Sequence, residues 1–148
     1  MAHTYTNLLI HCVFSTKHRQ KTITPEHQAD LWPYMGGIAR TNRMHALAIG
    51  GIEDHVHLLL SIPSWMAVAK AIQFIKGGSS KWAHENGFKD LHWQEAYGAF
   101  TVGASQVEDT IAYINAQAEH HKKFSFEDEF RAFLKKNGIE WDEAYVFG

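Results

Sequence analysis

The feature that most constrains the fold is an alternating stretch at residues 50–63, GGIEDHVHLLLSIP. Successive side chains of a β-strand point to opposite faces. One face of this stretch is unbroken and apolar, and it consists of Val56, Leu58, Leu60 and Ile62. The other face carries His55 and His57, about 7 Å apart along the strand. The pattern predicts a strand that is buried on its apolar face and presents two imidazoles on the other.

Two neutral imidazoles on one strand face can bind a divalent metal ion together. The alternative is a pair of surface histidines on a half-exposed strand, and an isolated His-x-His pattern favours that alternative. A metal site therefore requires a third ligand, and a catalytic site requires a nucleophile as well.

Composition places this chain among ordinary globular domains. Its 148 residues and 45% hydrophobic content predict one domain with a sizeable core. The single Cys12 excludes an intrachain disulfide and a cysteine-based zinc site. No apolar stretch has membrane-spanning length and no signal-peptide pattern is present, so we expect a cytoplasmic protein without membrane contact.

The net charge of −2 does not by itself indicate a nucleic-acid-binding protein. Its distribution is more informative, because residues 126–148 carry six acidic and three basic residues. Residues 1–125 are nearly balanced, so an acidic tail can mask a basic groove in the body of the domain.

The order of elements predicts the fold class. Strands are expected at residues 5–14, 44–49, 55–62 and 93–102, with a turn at Gly50-Gly51. Helices are expected from Thr24 to near Asn42 with a kink at Pro33, from Ser64 with a bend at residues 77–80, from Ser105, and over residues 126–137. This order predicts an α+β, ferredoxin-like (split βαβ) antiparallel sheet with helices on one face, plus a C-terminal tyrosine-bearing helix and a further helix. The histidine pair then lies on the opposite face, where we expect a ligand or a further helix.

The helix that starts at Ser105 presents a tyrosine away from its apolar side. Its expected buried stripe lies within about 40° at roughly 100° per residue, and it consists of Val107, Ile111, Ile114 and Ala118. Tyr113 lies roughly 120° from that stripe, and Gln117 shares its face one turn later. The alternative is an amphipathic surface tyrosine packed along the helix edge.

Together these residues suggest phosphodiester chemistry. A metal ion bound by two imidazoles and a Gln oxygen has open coordination positions for substrate oxygens, and it can polarise a phosphodiester. A phenol beside it is a competent nucleophile whose product is a covalent phosphotyrosine. Because that link conserves the bond energy, it suits cutting and rejoining of nucleic acid better than hydrolysis.

The chain resembles the HUH-superfamily single-tyrosine transposases of bacterial insertion sequences and their REP-associated relatives. Four segments carry the resemblance in order and spacing, namely FSTKHR, GGIEDHVHLLLSIP, IKGGSS and AYINAQAEHH. The resemblance assigns His55 and His57 to the HUH motif, Tyr113 to the nucleophile and Gln117 to the third metal ligand. It implies Mg²⁺ or Mn²⁺ as cofactor.

The resemblance also implies the substrate and the reaction. Tyr113 is expected to cleave single-stranded DNA, to form a 5′-phosphotyrosine and to free a 3′-OH, with recognition of hairpins at the element ends. Many such enzymes are homodimers in which the tyrosine helix completes the partner's site, whereas some relatives act as monomers. We expect one transposase domain over residues 1–148, with a catalytic core at 1–122 and a C-terminal helix and tail at 123–148.

Two other functions fit parts of the sequence. One is a catalytically silent or domesticated hairpin-DNA-binding protein, which has no chemical need of the full set of site residues. The other is a metal-dependent hydrolase of small molecules, although no general base is evident beside the histidine pair. For either DNA function, the expected phosphate contacts are Lys17, Arg19, Lys76 and Lys81.

Overall fold

The computed structural model describes residues 3–148 and contains one four-stranded antiparallel sheet. The strands are β1 (Leu8–Ser15), β2 (His45–Ile52), β3 (His55–Ile62) and β4 (Gly98–Thr101), in the spatial order β2-β3-β1-β4. The central pair is therefore β1 and β3, as the split βαβ plan requires. Val13 pairs with His57 and Ser15 pairs with His55 in the register of these two strands.

The helices cover both faces of the sheet. They are α1 (Pro25–Thr41), α2 (Val68–Glu85), α3 (Val107–Asn115), α4 (Gln117–His120) and α5 (Phe126–Lys136). The main core joins α1 and α2 to the apolar face of β3, where Val56, Leu58 and Leu60 are fully buried. Smaller apolar clusters pack α3 and α5 against the histidine face. Every helix within residues 3–148 is too short or too polar to cross a membrane.

The turn expected at Gly50-Gly51 lies three residues later, at Glu53 and Asp54. Both glycines belong to β2, where they pair with His57 and Val56. A Cβ atom at Gly50 would clash with the backbone oxygen of Ile114 on α3. Glycine at this position therefore lets α3 approach the sheet closely, and it does not form a turn.

Helix α2 differs from its expected form at its start and its middle. It begins at Val68, with Ala67 at the N-cap, so Ser64 is not the capping residue. The helix continues without a break through residues 77–80, where a Cβ atom at Gly78 would contact the Ile38 side chain at 2.9 Å. The small residues therefore allow α1 and α2 to pack closely. Likewise, α1 continues through Pro33.

The elements around the tyrosine are shorter than expected. Strand β4 covers only four residues, and Trp93 forms an isolated bridge with Thr16. The backbone N–H of Gly103 donates to the Gln106 side chain, and α3 starts at Val107 without a side-chain cap from Ser105. The expected capping of α5 by Ser125 is present, because the Ser125 hydroxyl accepts from the Asp128 N–H at 3.1 Å.

Candidate active site

The two histidines of β3 lie side by side beneath α3 and α5. Both side chains are completely buried, and their ring centroids are 5.1 Å apart. They are therefore not surface histidines on a half-exposed strand. The face expected to take a ligand or a further helix is covered by the C-terminal helices, which add functional groups to the pair.

Hydrogen bonds fix the tautomers of two imidazoles in this cluster. His55 Nδ1 lies 2.8 Å from Asp54 Oδ1, and His121 Nδ1 lies 2.7 Å from the backbone oxygen of Phe124. A carboxylate and a carbonyl only accept, so both Nδ1 atoms carry the hydrogen. In the neutral rings, each Nε2 atom then presents a lone pair to the interior of the cluster.

His57 lies between a carboxylate and a third imidazole. Its Nε2 is 2.8 Å from Glu129 Oε1, and its Nδ1 is 2.8 Å from His11 Nε2. Burial lowers the pKa of His57 to about 4, and burial together with the neighbouring His57 lowers the pKa of His11 to about 3. Both rings are therefore neutral near pH 7, and one donates to the other.

Glu129 of α5 is the acidic centre of the cluster. The residue is only 5% exposed. Its Oε1 lies 3.5 Å from His55 Nε2, and its Oε2 lies 3.2 Å from His121 Nε2. Burial by itself would raise the pKa of Glu129, but the close imidazoles of His121 and His57 outweigh it and hold the pKa well below the usual range. The side chain is therefore a buried carboxylate.

The donor set fits a divalent cation. The ligating atoms of His55, His57, His121 and Glu129 all lie within 4.8 Å of one another. Within the described part of the chain, His121 Nε2 is a buried nitrogen without a well-directed hydrogen bond. A nitrogen lone pair that faces a carboxylate oxygen at 3.2 Å is repelled by it unless a proton or a metal ion lies between the two atoms. Neighbouring ligands of an octahedral ion lie about 3 Å apart, which resembles these separations.

Gln117 joins the same cluster through a break in the tyrosine helix. Ala116 departs from helical geometry, with φ −100° and ψ 18°, and it separates α3 from α4. The break turns Gln117 inward, where its Oε1 lies 2.9 Å from His55 Nε2. Ala118 is consequently exposed, so its expected place in the buried stripe is wrong.

Tyr113 points its hydroxyl at the cluster. The hydroxyl donates to Glu129 Oε2 and lies 3.4 Å from His120 Nε2, and the ring centroid is 5.7 Å from that of His57. Burial and the negative charge of Glu129 raise the pKa of Tyr113 above its ordinary value. Tyr113 is half-buried, and it lies on a different side of α3 from the buried Ile114. Tyr113 is therefore separate from the apolar stripe, as expected.

The four basic residues expected to contact DNA are Lys17, Arg19, Lys76 and Lys81. Arg19 donates from Nη1 to the backbone oxygen of Phe147 at 2.8 Å and lies over the Phe147 ring. Lys76 Nζ donates to three consecutive backbone oxygens, those of residues 94–96, and burial lowers its pKa to about 8. Lys17 and Lys81 are exposed, and Lys81 belongs to α2 on the face opposite the histidines.

Three residues of the site are not predicted from the sequence, namely Glu129, His121 and His11. Glu129 lies far along the chain from the histidines, and only the fold brings it to them. One local signal marks it, because Glu129 falls on the apolar face of α5 between Phe126, Phe130 and Phe133. A carboxylate on such a face requires a buried partner.

The fold is similar to solved transposase structures. A putative transposase from Deinococcus radiodurans superposes with a TM-score of 0.62 and 21% identity, covering 78% of this chain and 97% of that one. A REP-associated tyrosine transposase bound to a REP hairpin gives a TM-score of 0.57 and 16% identity, covering 82% of this chain and 74% of that one. These similarities define the class as α+β with a tyrosine-transposase fold.

Sequence comparison identifies the family. The family model described as "Transposase IS200 like" matches residues 4–117. The transposase of insertion sequence IS200 from Salmonella typhimurium is 30% identical over 132 residues, which is 82% of this chain and 84% of that protein. The ISDra2 transposase TnpA of Deinococcus radiodurans is 25% identical over 114 residues, 72% of this chain and 81% of that protein. The chain belongs to the IS200-like transposase family, which confirms the expected resemblance and implies DNA cleavage and strand transfer.

Proposed function

We propose that this protein is a metal-dependent single-stranded DNA transposase in which Tyr113 is the nucleophile. The observation that carries the proposal is the convergence of the Tyr113 hydroxyl on the cluster of His55, His57 and Glu129. A phenol beside a cation-binding cluster has the two components that phosphodiester transfer requires, a nucleophile and stabilisation of the developing charge.

The reaction is a transesterification with two balanced steps. Tyr113 Oη attacks a backbone phosphorus atom, the P–Oη bond forms, and the P–O3′ bond breaks. The phenolic proton leaves to a neighbouring acceptor, and Glu129 accepts the hydrogen bond from this hydroxyl. The departing 3′-oxygen takes up a proton. Attack of a free 3′-OH on the 5′-phosphotyrosine reverses these changes and joins the strand.

The proposed cofactor is Mg²⁺ or Mn²⁺. His55 and His57 would hold it, with Gln117 as the third ligand and Glu129 and His121 within reach of the same position. When bound, the ion supplies Lewis-acid polarisation of the phosphate and helps to stabilise the phenolate. The imidazole-rich donor set favours Mn²⁺ over Mg²⁺ in affinity, because imidazole suits transition metals better than Mg²⁺.

The proposed substrate is single-stranded DNA with hairpins near the cleaved ends. Family membership and the similarity to a REP-associated transposase bound to a REP hairpin support this choice. Lys17, Arg19, Lys76 and Lys81 are the proposed phosphate contacts, so affinity should decrease as the salt concentration increases. Lys17 and Lys81 are exposed, whereas Lys76 would exchange one of its three backbone acceptors for a phosphate oxygen. We assign residues 1–122 to the catalytic core and 123–148 to a C-terminal part that completes the site through Glu129.

The proposed assembly is a homodimer in which each chain carries its own site. Contact of Tyr113 with Glu129 of the same chain supports a site completed within one subunit. We expect a mixture of His57→Ala and Tyr113→Phe proteins to remain inactive in DNA cleavage. Recovery of cleavage on mixing would instead indicate that the tyrosine helix serves the partner's histidines.

The test of the nucleophile is the Tyr113→Phe variant. The substitution removes one hydroxyl, so the variant should bind hairpin oligonucleotides as the wild type does and form no covalent adduct. The measurement is incubation with single-stranded hairpin DNA and Mn²⁺, followed by denaturing electrophoresis.

Tyr97→Phe is the matched control for that test, because Tyr97 lies outside the cluster, and it should form the adduct normally. An adduct with Tyr113→Phe would refute the assignment. DNA binding without any adduct in the wild type would indicate the silent DNA-binding protein instead.

A further inference from the structure

A cavity of about 690 Å³ opens between α3 and α5, next to the proposed nucleophile. Tyr113 forms part of its wall, so the cavity and the metal cluster share this side chain. The other aromatic residues that line it are His11, Phe100, His120, Phe124 and Phe133. The volume is in the range of cavities that bind small organic ligands.

Two stacked pairs give this cavity flat aromatic walls. The rings of Phe124 and His120 stack with centroids 5.1 Å apart and an interplanar angle of 25°. Those of Phe100 and Phe133 stack at 5.4 Å and 15°. Phe124 is 51% exposed although it is a large apolar side chain, so it presents a ring to whatever enters the cavity. Planar aromatic groups bind well between such walls.

The charges around the cavity disfavour a phosphate inside it. Asp109 and Asp128 line it in addition to Glu129 of the histidine cluster, and Lys136 is a basic side chain among the lining residues. A phosphodiester would therefore remain outside, near the metal cluster. A neutral, planar group attached to the same strand would meet aromatic faces, and the polar atoms of Gln106 and Asn137 offer hydrogen bonds at its edge.

We infer that this cavity binds an unpaired nucleobase of the DNA strand, next to the phosphate that Tyr113 attacks. The inference rests on the proposed function for the position of that phosphate. Stacking on the aromatic walls would hold the base, and this would place the adjoining phosphate at the Tyr113 hydroxyl. The C-terminal helix α5 then acts as one wall of a base subsite in addition to carrying Glu129.

The experiment compares two single-stranded probes with the same phosphates. One is a ten-nucleotide oligothymidine, and the other is a decamer of abasic residues. Wild-type protein should bind the oligothymidine more tightly in fluorescence anisotropy, because only this probe offers bases for stacking. Phe124→Ala should lower affinity for the oligothymidine about 5- to 10-fold, at the low end of base–aromatic stacking, and leave the abasic probe unchanged.

Two further variants check that a loss of affinity in Phe124→Ala comes from the lost ring and not from a rearrangement of the structure around it. Ala132→Trp places a large side chain at an exposed position on the α5 wall and should exclude the base with the same probe dependence. Trp65→Ala is the matched control, because Trp65 is 67% exposed but lies outside the cavity, and it should bind both probes as the wild type does.

The possible outcomes separate this inference from the proposed function. Equal affinity of Phe124→Ala, Ala132→Trp and wild type for oligothymidine would overturn the base subsite, even if the wild type forms an adduct with hairpin DNA. An equal loss for both probes would also overturn it, since it would indicate phosphate contacts. A loss restricted to oligothymidine supports the subsite, and it does so even if no adduct is ever formed.

Discussion

At the scale of single residues, His57 depends on a second histidine for its orientation. His55 and His121 donate their Nδ1 hydrogens to oxygen acceptors, whereas His57 Nδ1 faces the nitrogen of His11 at 2.8 Å. If His57 Nε2 is to offer its lone pair to a metal ion, its Nδ1 must carry the hydrogen and His11 Nε2 must accept it. In the proposed metal site, His11 is therefore a positioning residue for His57.

Replacement of His11 tests that role. His11→Leu removes the acceptor and leaves a buried donor unpaired, so the affinity for Mn²⁺ should fall about 10- to 100-fold. His11→Gln retains an acceptor oxygen and should recover part of that affinity, which a purely space-filling role would not predict. Isothermal titration with Mn²⁺ measures both. The exposed His45→Leu is the control, and wild-type affinity in His11→Leu would disprove the role.

At the scale of elements, α5 contributes both packing and a charge to the site. Phe126 and Phe130 anchor it to Val13 and Phe100 on the sheet, and this anchoring holds Glu129 over the histidines. The matched family segment ends at residue 117, before this helix begins. The acidic residues of the C-terminal part are therefore not all solvated, because one of its carboxylates is buried against the histidines of β3.

Replacement of Glu129 tests the contribution of α5. Glu129→Gln keeps the size of the side chain and removes its charge, so we expect Mn²⁺ affinity to fall at least about tenfold. Titration calorimetry measures the change. Glu127→Gln, on the same helix but outside the cluster, should bind Mn²⁺ as the wild type does. If the two variants bind equally well, the carboxylate is not a ligand.

Some of these elements could be predicted from sequence and others could not, for physical reasons. The period-two alternation of β3 assigned both of its faces correctly, because side-chain direction in a strand is a local property. Gln117 was predicted to share a helix face with Tyr113, but its inward turn was not predicted. The helix break at Ala116 and the exposure of Ala118 depend on how α4 meets the sheet. The place of Glu129 on the apolar face of α5 marks it as a buried carboxylate, but no local pattern shows that its partners are the histidines of β3.

At the scale of the whole molecule, the buried cluster couples folding to pH. In the metal-free protein, His11 and His57 have folded pKa values of about 3 and about 4, below the ordinary value of 6.5. Between these values and pH 6.5 the unfolded chain binds protons that the folded chain excludes. The contribution of these two histidines to the free energy of unfolding is therefore fully present above pH 6.5 and is lost as the pH falls toward their folded pKa values. Glu129 acts in the same sense at lower pH, whereas the raised pKa of His121 acts in the opposite sense.

We therefore expect the free energy of unfolding in EDTA to decrease as the pH falls from 6.5 to 4. The contribution of His57 alone is about 3 kcal/mol at full extent, from a shift of about 2.5 units at 1.36 kcal/mol each. Denaturant unfolding at a series of pH values measures the slope. His57→Gln should flatten it, because glutamine does not titrate, and His45→Leu should leave it unchanged. A wild-type slope in His57→Gln would show that the loss of stability does not come from protonation of His57 in the unfolded chain.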